Sequence, residues 1–387
     1  MIYDYKTGVY TTVVNKEDAD GMYYLYKLYF RDVDINGKII ETVTYAVDPY
    51  ANSVSVNGDK GYVLDINEKS TKPIGFTNHP SPILSEKDDS IIYEMHIRDF
   101  TIDESSGVIN DLRGTYLGAV EENTIYKNPY NGKCVKTGID HLCELGITHV
   151  HLMPIFDFGS VDERFPGSNN RNWGYDPKNF NVPEGSYCSN PYNPVTRILE
   201  LRQMIMKFHE RGIRVVMDMV YNHMMSTVNM DNIVPGYYFR SDYLGRYTNG
   251  SGCGNELASE RPMVRKFIID SCLHWIKDYK IDGIRFDLME LLDIDTTKEI
   301  VKKTTKLDKN FLIYGEPWKG GSSPLVNGTY KGSQKNENFS IFNDTFRDAI
   351  RGNNHPSSGF INGNQYSSIC NWSIIEGLKG SIYTITS

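Results

Sequence analysis

Six short apolar runs, separated by stretches with helical spacing, constrain this chain more than any other feature. They are 91–95 (IIYEM), 147–153 (ITHVHLM), 213–218 (IRVVMD), 282–287 (DGIRFD), 311–316 (FLIYGE) and 339–343 (FSIFN). Short runs bounded by turn residues and alternating with helices suit parallel strands whose crossovers cover both faces. The intervening stretches include VTRILELRQMIMKFHERG, which Gly212 ends, and RPMVRKFIIDSCLHWIKDYK, with Pro262 in its first turn. The last two strand-to-strand steps, 29 and 28 residues, are close to the roughly 31 residues per unit of a (β/α)8 TIM barrel of about 250 residues. Earlier steps are longer and require insertions, placed at about 154–200 and 224–260. The expected fold is therefore α/β: residues 91–387 as an incomplete (β/α)8 barrel with about six of eight units.

Ahead of the barrel, residues 1–66 read as short strands (GVYTTVV, GMYYLYKLYF, KIIETVTYAVD and the turn-rich SVNGDKGYVLDI), with hairpin signals at Asn36-Gly37 and Asn57-Gly58. This is an all-β module, expected as a partial β-sandwich, because about 66 residues is short for a sandwich of ~100. The Pro-, Ser- and Lys-rich stretch 67–90 reads as a linker. A net charge of −8 argues against a nucleic-acid partner. No apolar run reaches the roughly 18 residues of a membrane span, and Asp4 and Lys6 interrupt any signal core near Met1. Six cysteines without a CxxC pair read as reduced thiols, which fits a cytoplasmic location. The 27 tyrosines suit carbohydrate surfaces or packed β-structure equally well.

Three of the runs end in carboxylates: Asp218, Asp287 and Glu316. A barrel brings strand ends onto one rim, and paired carboxylates there suit glycoside hydrolysis, in which one protonates the leaving oxygen and the other attacks or activates water. Arg285 lies two residues before Asp287, so both side chains point the same way from a strand. Its guanidinium is expected to keep Asp287 ionised. A single Asp at a strand end is commonly a turn or cap residue, but three on successive strands are harder to explain so.

DMVYNH, GIRFDLMELLD and YGEPW resemble the first three sequence regions of the α-amylase family of glycoside hydrolases, and RNWGYDP at 171–177 resembles the YNWGYDP signature of type I pullulanases. NGSGCGNELASERPMVRKFIIDS and FNDTFRDAIRG are similar to pullulanase sequence as well, so the resemblance covers most of the chain. The β module, with VDPYANSVSVNGDKG, resembles the latter part of a family 48 carbohydrate-binding module. The resemblance implies hydrolysis of α-1,6-glucosidic branch links in pullulan, amylopectin or glycogen-derived glucans by a retaining double displacement. It implies Asp287 as nucleophile, Glu316 as general acid/base and Arg285 as the residue that orients Asp287. By the same token His223 contacts the sugar at the cleaved position, Asp218 and Asn222 support the strand end, Tyr175 is a stacking platform and Trp318 a wall on the leaving-group side. The implied partner is an α-glucan; no cofactor is required, though loop carboxylates leave room for Ca²⁺.

The sequence departs from the family at Arg171, Met219 and Glu290, where Tyr, Val and Gly are usual. It also holds no His-Asp pair after FNDTFRDAIRG, where the resemblance implies a third carboxylate, so no turnover is expected from these residues alone. Alternatives are a non-catalytic α-glucan-binding protein, or an isoamylase or α-amylase of the same clan. His149 and His151 share one strand face as a metal-binding HxH pair does, but the carboxylates such a site needs belong to the other motifs, and no metal site is expected. His96, at the end of the first barrel strand, suits a rim or a core role equally.

Overall fold

Each of the six apolar runs forms a strand, and all six join one parallel sheet in chain order: β1 (Ile92–Met95), β2 (His149–Leu152), β3 (Arg214–Met219), β4 (Gly283–Phe286), β5 (Leu312–Gly315) and β6 (Ser340–Ile341). The computed structural model describes residues 1–34, 36–165, 172–353 and 358–380. The strands are mostly shorter than their apolar runs, and β1 and β6 are the sheet's edges. A sheet of six sequential parallel strands with helical crossovers fits an incomplete (β/α)8 barrel.

Helices α1 (Gly138–Leu145), α2 (Pro194–Glu210), α3 (Pro262–Tyr279) and α4 (Ile294–Thr305) lie in the successive crossovers from β1 to β5; α5 (Asp344–Arg351) and α6 (Ser368–Leu378) follow β6. Local chemistry sets their ends. Asn193 caps α2 by accepting from the Val195 amide at 3.1 Å, Pro194 begins it, and Gly212 leaves it at φ +76°. Ile198, Leu201, Ile205 and Phe208 recur at helical spacing and are fully buried, each stabilising the core by roughly 1.5–3 kcal/mol. The longer steps are filled as expected. The insertion after β2 carries an antiparallel pair, Phe156–Phe158 with Pro177–Pro183, and the insertion after β3 carries the short helix Val228–Asp231.

Residues 1–66 form three two-stranded antiparallel sheets: Ile2–Asp4 with Val9–Thr11, Tyr26–Val33 with Ile39–Ala46, and Tyr23–Tyr24 with Gly61–Tyr62. Both Asn-Gly pairs lie in turns, with Gly37 at φ +80° and Asn57 and Gly58 at 62° and +70°. The hairpin's second strand rests on the insertion after β3, where Thr44 Oγ1 donates to Asn232 O at 2.7 Å and Asn229 bonds both the amide and the carbonyl of Val47. The connecting stretch 67–90 is a packed strap. Arg202 of α2, 1% exposed, donates to the carbonyls of Ile66 and Thr71 and to Thr71 Oγ1, while its guanidinium lies over Phe76 and Tyr279. Farther along, Arg214 bonds the carbonyl of Pro82 and Asn310 that of Leu84.

Candidate active site

The sheet register places the chemistry. Asp218 on β3 pairs with Arg285 on β4, and Arg285 with Tyr314 on β5. Just beyond the strands the ladder continues, with Asp287 N donating to Met219 O and Glu316 N to Phe286 O, each at 3.1 Å. Three carboxylates thus converge on one cation. Arg285 Nη1 lies 2.9 and 3.1 Å from the two oxygens of Asp218 and 3.0 Å from Asp287 Oδ1, while Nη2 lies 2.6 Å from Glu316 Oε1. The rigid guanidinium fork makes such bridging possible.

Neighbouring backbone and amide groups fix the remaining lone pairs. Asn222 Nδ2 donates to Asp287 Oδ2 at 2.7 Å and to its carbonyl at 3.1 Å. The Leu288 amide donates to Glu316 Oε2 at 3.1 Å from a left-handed backbone, φ 41°, a conformation that costs a non-glycine residue on the order of 1–2 kcal/mol. That strain directs the amide after Asp287 onto Glu316. His223 faces two acceptors, Asn222 Oδ1 at 2.6 Å and the Tyr175 carbonyl at 2.9 Å. Burial pushes its pKa down to about 4 against the pull of the Tyr175 carbonyl, so at neutral pH one proton serves one of the two contacts.

Arg285 does not hold Asp287 low, as expected from spacing alone. Burial and then the charge of Asp218 push Asp287 up to about 7, with Arg285 opposing and Glu316 adding to the rise. The cation is shared, and the fully buried Asp218 takes the larger part: burial would raise its carboxyl, but Arg285, His151 and Tyr175 together hold it below the usual range. Asp287 is therefore poised between its acid and its ionised form near neutral pH, while Asp218 is the permanent anion beneath Arg285.

Asp287, Glu316, Arg285, His223 and Tyr175 line one cleft of about 700 Å³. Asp218 and Asn222 stand behind it as supports, and Tyr175 is anchored by its hydroxyl donating to Asp218 Oδ2 at 2.8 Å. Trp318, two residues beyond Glu316, packs on Phe342 with ring centroids 6.4 Å apart, and the Phe342 ring in turn lies 5.7 Å from the Arg285 guanidinium. Glu94, Trp173 and Cys253 also line the cleft and were not singled out from sequence. Glu94 lies two residues before His96 and so shares its strand face, a signal that could have found it. His151 of the HxH pair contacts Asp218 Oδ2 at 3.4 Å, and His149 Nδ1 contacts Thr148 Oγ1 at 2.8 Å. His96 serves both expected roles: buried at the cleft wall, it accepts from the Asp99 amide and bonds the Asn172 carbonyl at 2.9 Å. Met219 is a buried strand residue, Glu290 pairs with Lys319 at 2.8 Å, and Arg171 lies outside the described residues.

Comparison with known proteins bears on this geometry. The family model described as alpha amylase, catalytic domain, matches residues 132–234. The pullulanase of Bacillus subtilis (strain 168) is 41% identical over 382 residues, covering 97% of this chain and 49% of that protein. Isoamylase 3, chloroplastic, of rice (Oryza sativa subsp. japonica) is 33% identical, covering 89% of this chain and 45% of that protein. Among solved structures, the pullulanase of Paenibacillus barengoltzii in complex with maltohexaose and α-cyclodextrin superposes with a TM-score of 0.80 at 43% identity, over 88% of this chain and 51% of that one. The pullulanase from Bacillus acidopullulyticus gives 0.83 at 43%, over 95% and 43%. This chain thus spans about half the length of the Bacillus subtilis relative and of these solved structures. In sequence and in fold, the chain belongs to the α-amylase family of glycoside hydrolases, with proteins named pullulanase among its relatives.

Proposed function

We propose that the cleft hydrolyses α-1,6-glucosidic links of branched α-glucans by a retaining double displacement. The observation that carries this reading is the single guanidinium of Arg285 spanning Asp287 and Glu316, because retention needs two carboxyl groups only about 5–5.5 Å apart, where inversion needs room for a water between them. Asp287, ionised, attacks the anomeric carbon; Glu316 protonates the leaving oxygen and then takes a proton from the water that releases the sugar. Tyr175 and Trp173 supply ring faces for the sugar, which give affinity without fixed charge. The resemblance of residues 172–177 to the pullulanase signature, and the pullulanase relatives, favour α-1,6 over α-1,4 links.

Further parts of the reading rest on composition and similarity. Residues 1–66 act as a family 48-like carbohydrate-binding module, residues 67–90 as its connection to the catalytic unit at 91–387, and no cofactor takes part in the chemistry. All six cysteines are free thiols, which supports a cytoplasmic location; among the described residues no helix is long and apolar enough to cross a membrane. Reducing ends released from pullulan and from amylose test the specificity. In a chain that also carries the third carboxylate, faster release from pullulan, abolished by Asp287→Asn, is the expected result. Faster release from amylose would move the chain to the α-1,4-cleaving branch, and release that persists in Asp287→Asn would remove the nucleophile assignment.

A further inference from the structure

The chain buries a second set of charges away from the cleft. Asp157, Glu163 and Glu184 are each 0–1% exposed, and so is Arg197 of α2 at their centre. One carboxylate oxygen of each acid lies within 4.8 Å of the others. Ca²⁺ does not fit this group. All six oxygens already face donors: Arg197 Nη1 at 3.4 Å and Asn179 Nδ2 at 2.7 Å for Asp157; the amides of Gly185 and Asn57 together with both Arg197 Nη atoms for Glu163; and the amides of Ser186 and Phe158 for Glu184. A hard cation needs six to eight oxygens turned toward it. Three carboxylates against one guanidinium leave excess negative charge in a dry site, and a bound proton is what can relieve it.

One wall of this cluster comes from far away in sequence. The Asn57–Gly58 turn of the N-terminal segment seats on it: Asn57 N donates to Glu163 Oε2 at 2.6 Å, its Oδ1 accepts from Glu163 N at 2.8 Å, and its Nδ2 donates to Asp162 Oδ1 at 3.0 Å. Gly58 O accepts from Asn179 Nδ2 at 3.0 Å, and a Cβ at Gly58 would lie 2.4 Å from Asp157 Oδ2. Lys178 Nζ closes the seat on Asn57 O at 2.6 Å and Asp59 Oδ1 at 2.5 Å. Asp157 and Asn179 are register partners in the strand pair after β2, and just beyond it Gly159 N bonds Asp176 O at 3.1 Å, the residue next to Tyr175. The cluster therefore lies at the root of the segment that carries Trp173 and Tyr175.

We propose that Asn57 and Gly58 are positioning residues for the cleft: seated on the buried cluster, their turn fixes the strand pair from which the Trp173–Tyr175 platform extends, and a proton held in the cluster keeps the turn seated. The part concerning the platform rests on the glucan reading above. The facing groups are Asp157, Asp162, Glu163 and Arg164 from the first strand and its loop, Lys178 from the second, Glu184 with Tyr116 and Tyr187 beside it, Arg197 and Cys188 near α2, and Asp59 and Tyr23 from the N-terminal side. Burial pushes Asp157 up to about 7, with Glu163 adding and Arg197 opposing, and burial likewise raises Glu184. A carboxyl raised in the seated form stabilises that form fully at low pH and loses the contribution as pH rises through its folded value, at up to about tenfold in the seating equilibrium per pH unit for each proton released.

Hydrogen exchange over residues 53–63 and 155–165, corrected for intrinsic rates, and calorimetric titration with maltotetraose, both between pH 6 and 8.5, test the proposal. Protection in the wild-type chain should fall by up to about tenfold per pH unit above 7, and Asp157→Asn should flatten that fall. Asp287 titrates in the same range, so for affinity the difference between wild type and Asp157→Asn is decisive. Asn57→Ala, which avoids the overlap of Gly58→Ala, should raise exchange at 155–165 and weaken maltotetraose binding at pH 6. Wild-type protection that does not change with pH, or an equal slope in Asp157→Asn, would overturn the proton-held seat. Opened exchange with unchanged affinity in Asn57→Ala would overturn the positioning role. If the wild type binds no maltotetraose at any pH, the glucan reading fails and the exchange measurements alone decide the seat.

Discussion

Removing the Arg285 guanidinium exposes most directly how the cleft's charges are balanced. Arg285→Ala leaves Asp218, Asp287 and Glu316 facing one another without their shared cation, and Asp218 is fully buried. Removing one partner of a buried pair costs about 3–5 kcal/mol, and the variant should lose that much stability at pH 8. The loss should shrink as the solution is acidified. Without Arg285 the raised Asp287 carboxyl rises further and the Asp218 carboxyl is no longer held low against burial, and a raised carboxyl contributes stability that is present at low pH and lost as pH rises through the folded value. Each proton taken up recovers about 1.4 kcal/mol per pH unit, so the gap to wild type should narrow by one to a few kcal/mol between pH 8 and pH 5. Arg285→Lys keeps the charge but not the fork across Asp287 and Glu316, and should lose about 1–2 kcal/mol at pH 8. Urea unfolding followed by circular dichroism at pH 5, 6.5 and 8 measures all three. A gap below about 1 kcal/mol at pH 8, or one that does not change with pH, would refute the shared-cation account.

Two further outcomes follow from the same contacts. Tyr175→Ala should weaken maltotetraose binding about tenfold by removing the ring face, whereas Tyr175→Phe, which loses only the 2.8 Å bond to Asp218, should retain most of it; calorimetry separates stacking from anchoring. On the opposite side of the fold, His79 of the strap stacks on His209 with centroids 5.4 Å apart, and burial followed by the neighbouring imidazole lowers its pKa. A lowered histidine favours the docked strap at pH above the ordinary imidazole value and loses that contribution as pH falls through the folded one. Limited proteolysis of residues 67–90 should therefore accelerate from pH 7 to pH 5, and His79→Phe should suppress that acceleration.

The strand ends were legible because parallel strands write themselves as short apolar runs, and a carboxylate that closes such a run is placed by the ladder alone. Asp218, Asp287, Glu316 and Arg285 follow from that rule, and Asn222 and His223 from the motif that continues β3. Long-range packing hid the rest. The ring contact of Trp318 with Phe342, from beyond β6, is one that the motif beside Glu316 does not reveal. The ionisation of Asp287 depends on how Arg285 divides itself between three acids, which spacing within β4 does not reveal. The strap at 67–90 reads as a linker by composition, but Arg202 and Asn310 bond its carbonyls from 131 and 226 residues away. The seat of Asn57 on Glu163 likewise joins segments 106 residues apart.

The central claim is that Asp287 becomes covalently linked to the sugar while Glu316 handles the proton. A fluorinated α-glucosyl fluoride tests it most directly, because its leaving group needs no acid and the ring fluorine slows release of the intermediate. Peptide mass spectrometry after incubation should find one glycosyl adduct, on the peptide containing Asp287, and Glu316→Gln should still form it. An adduct on another carboxylate, or none on a wild-type chain shown by calorimetry to bind maltotetraose, would contradict the account.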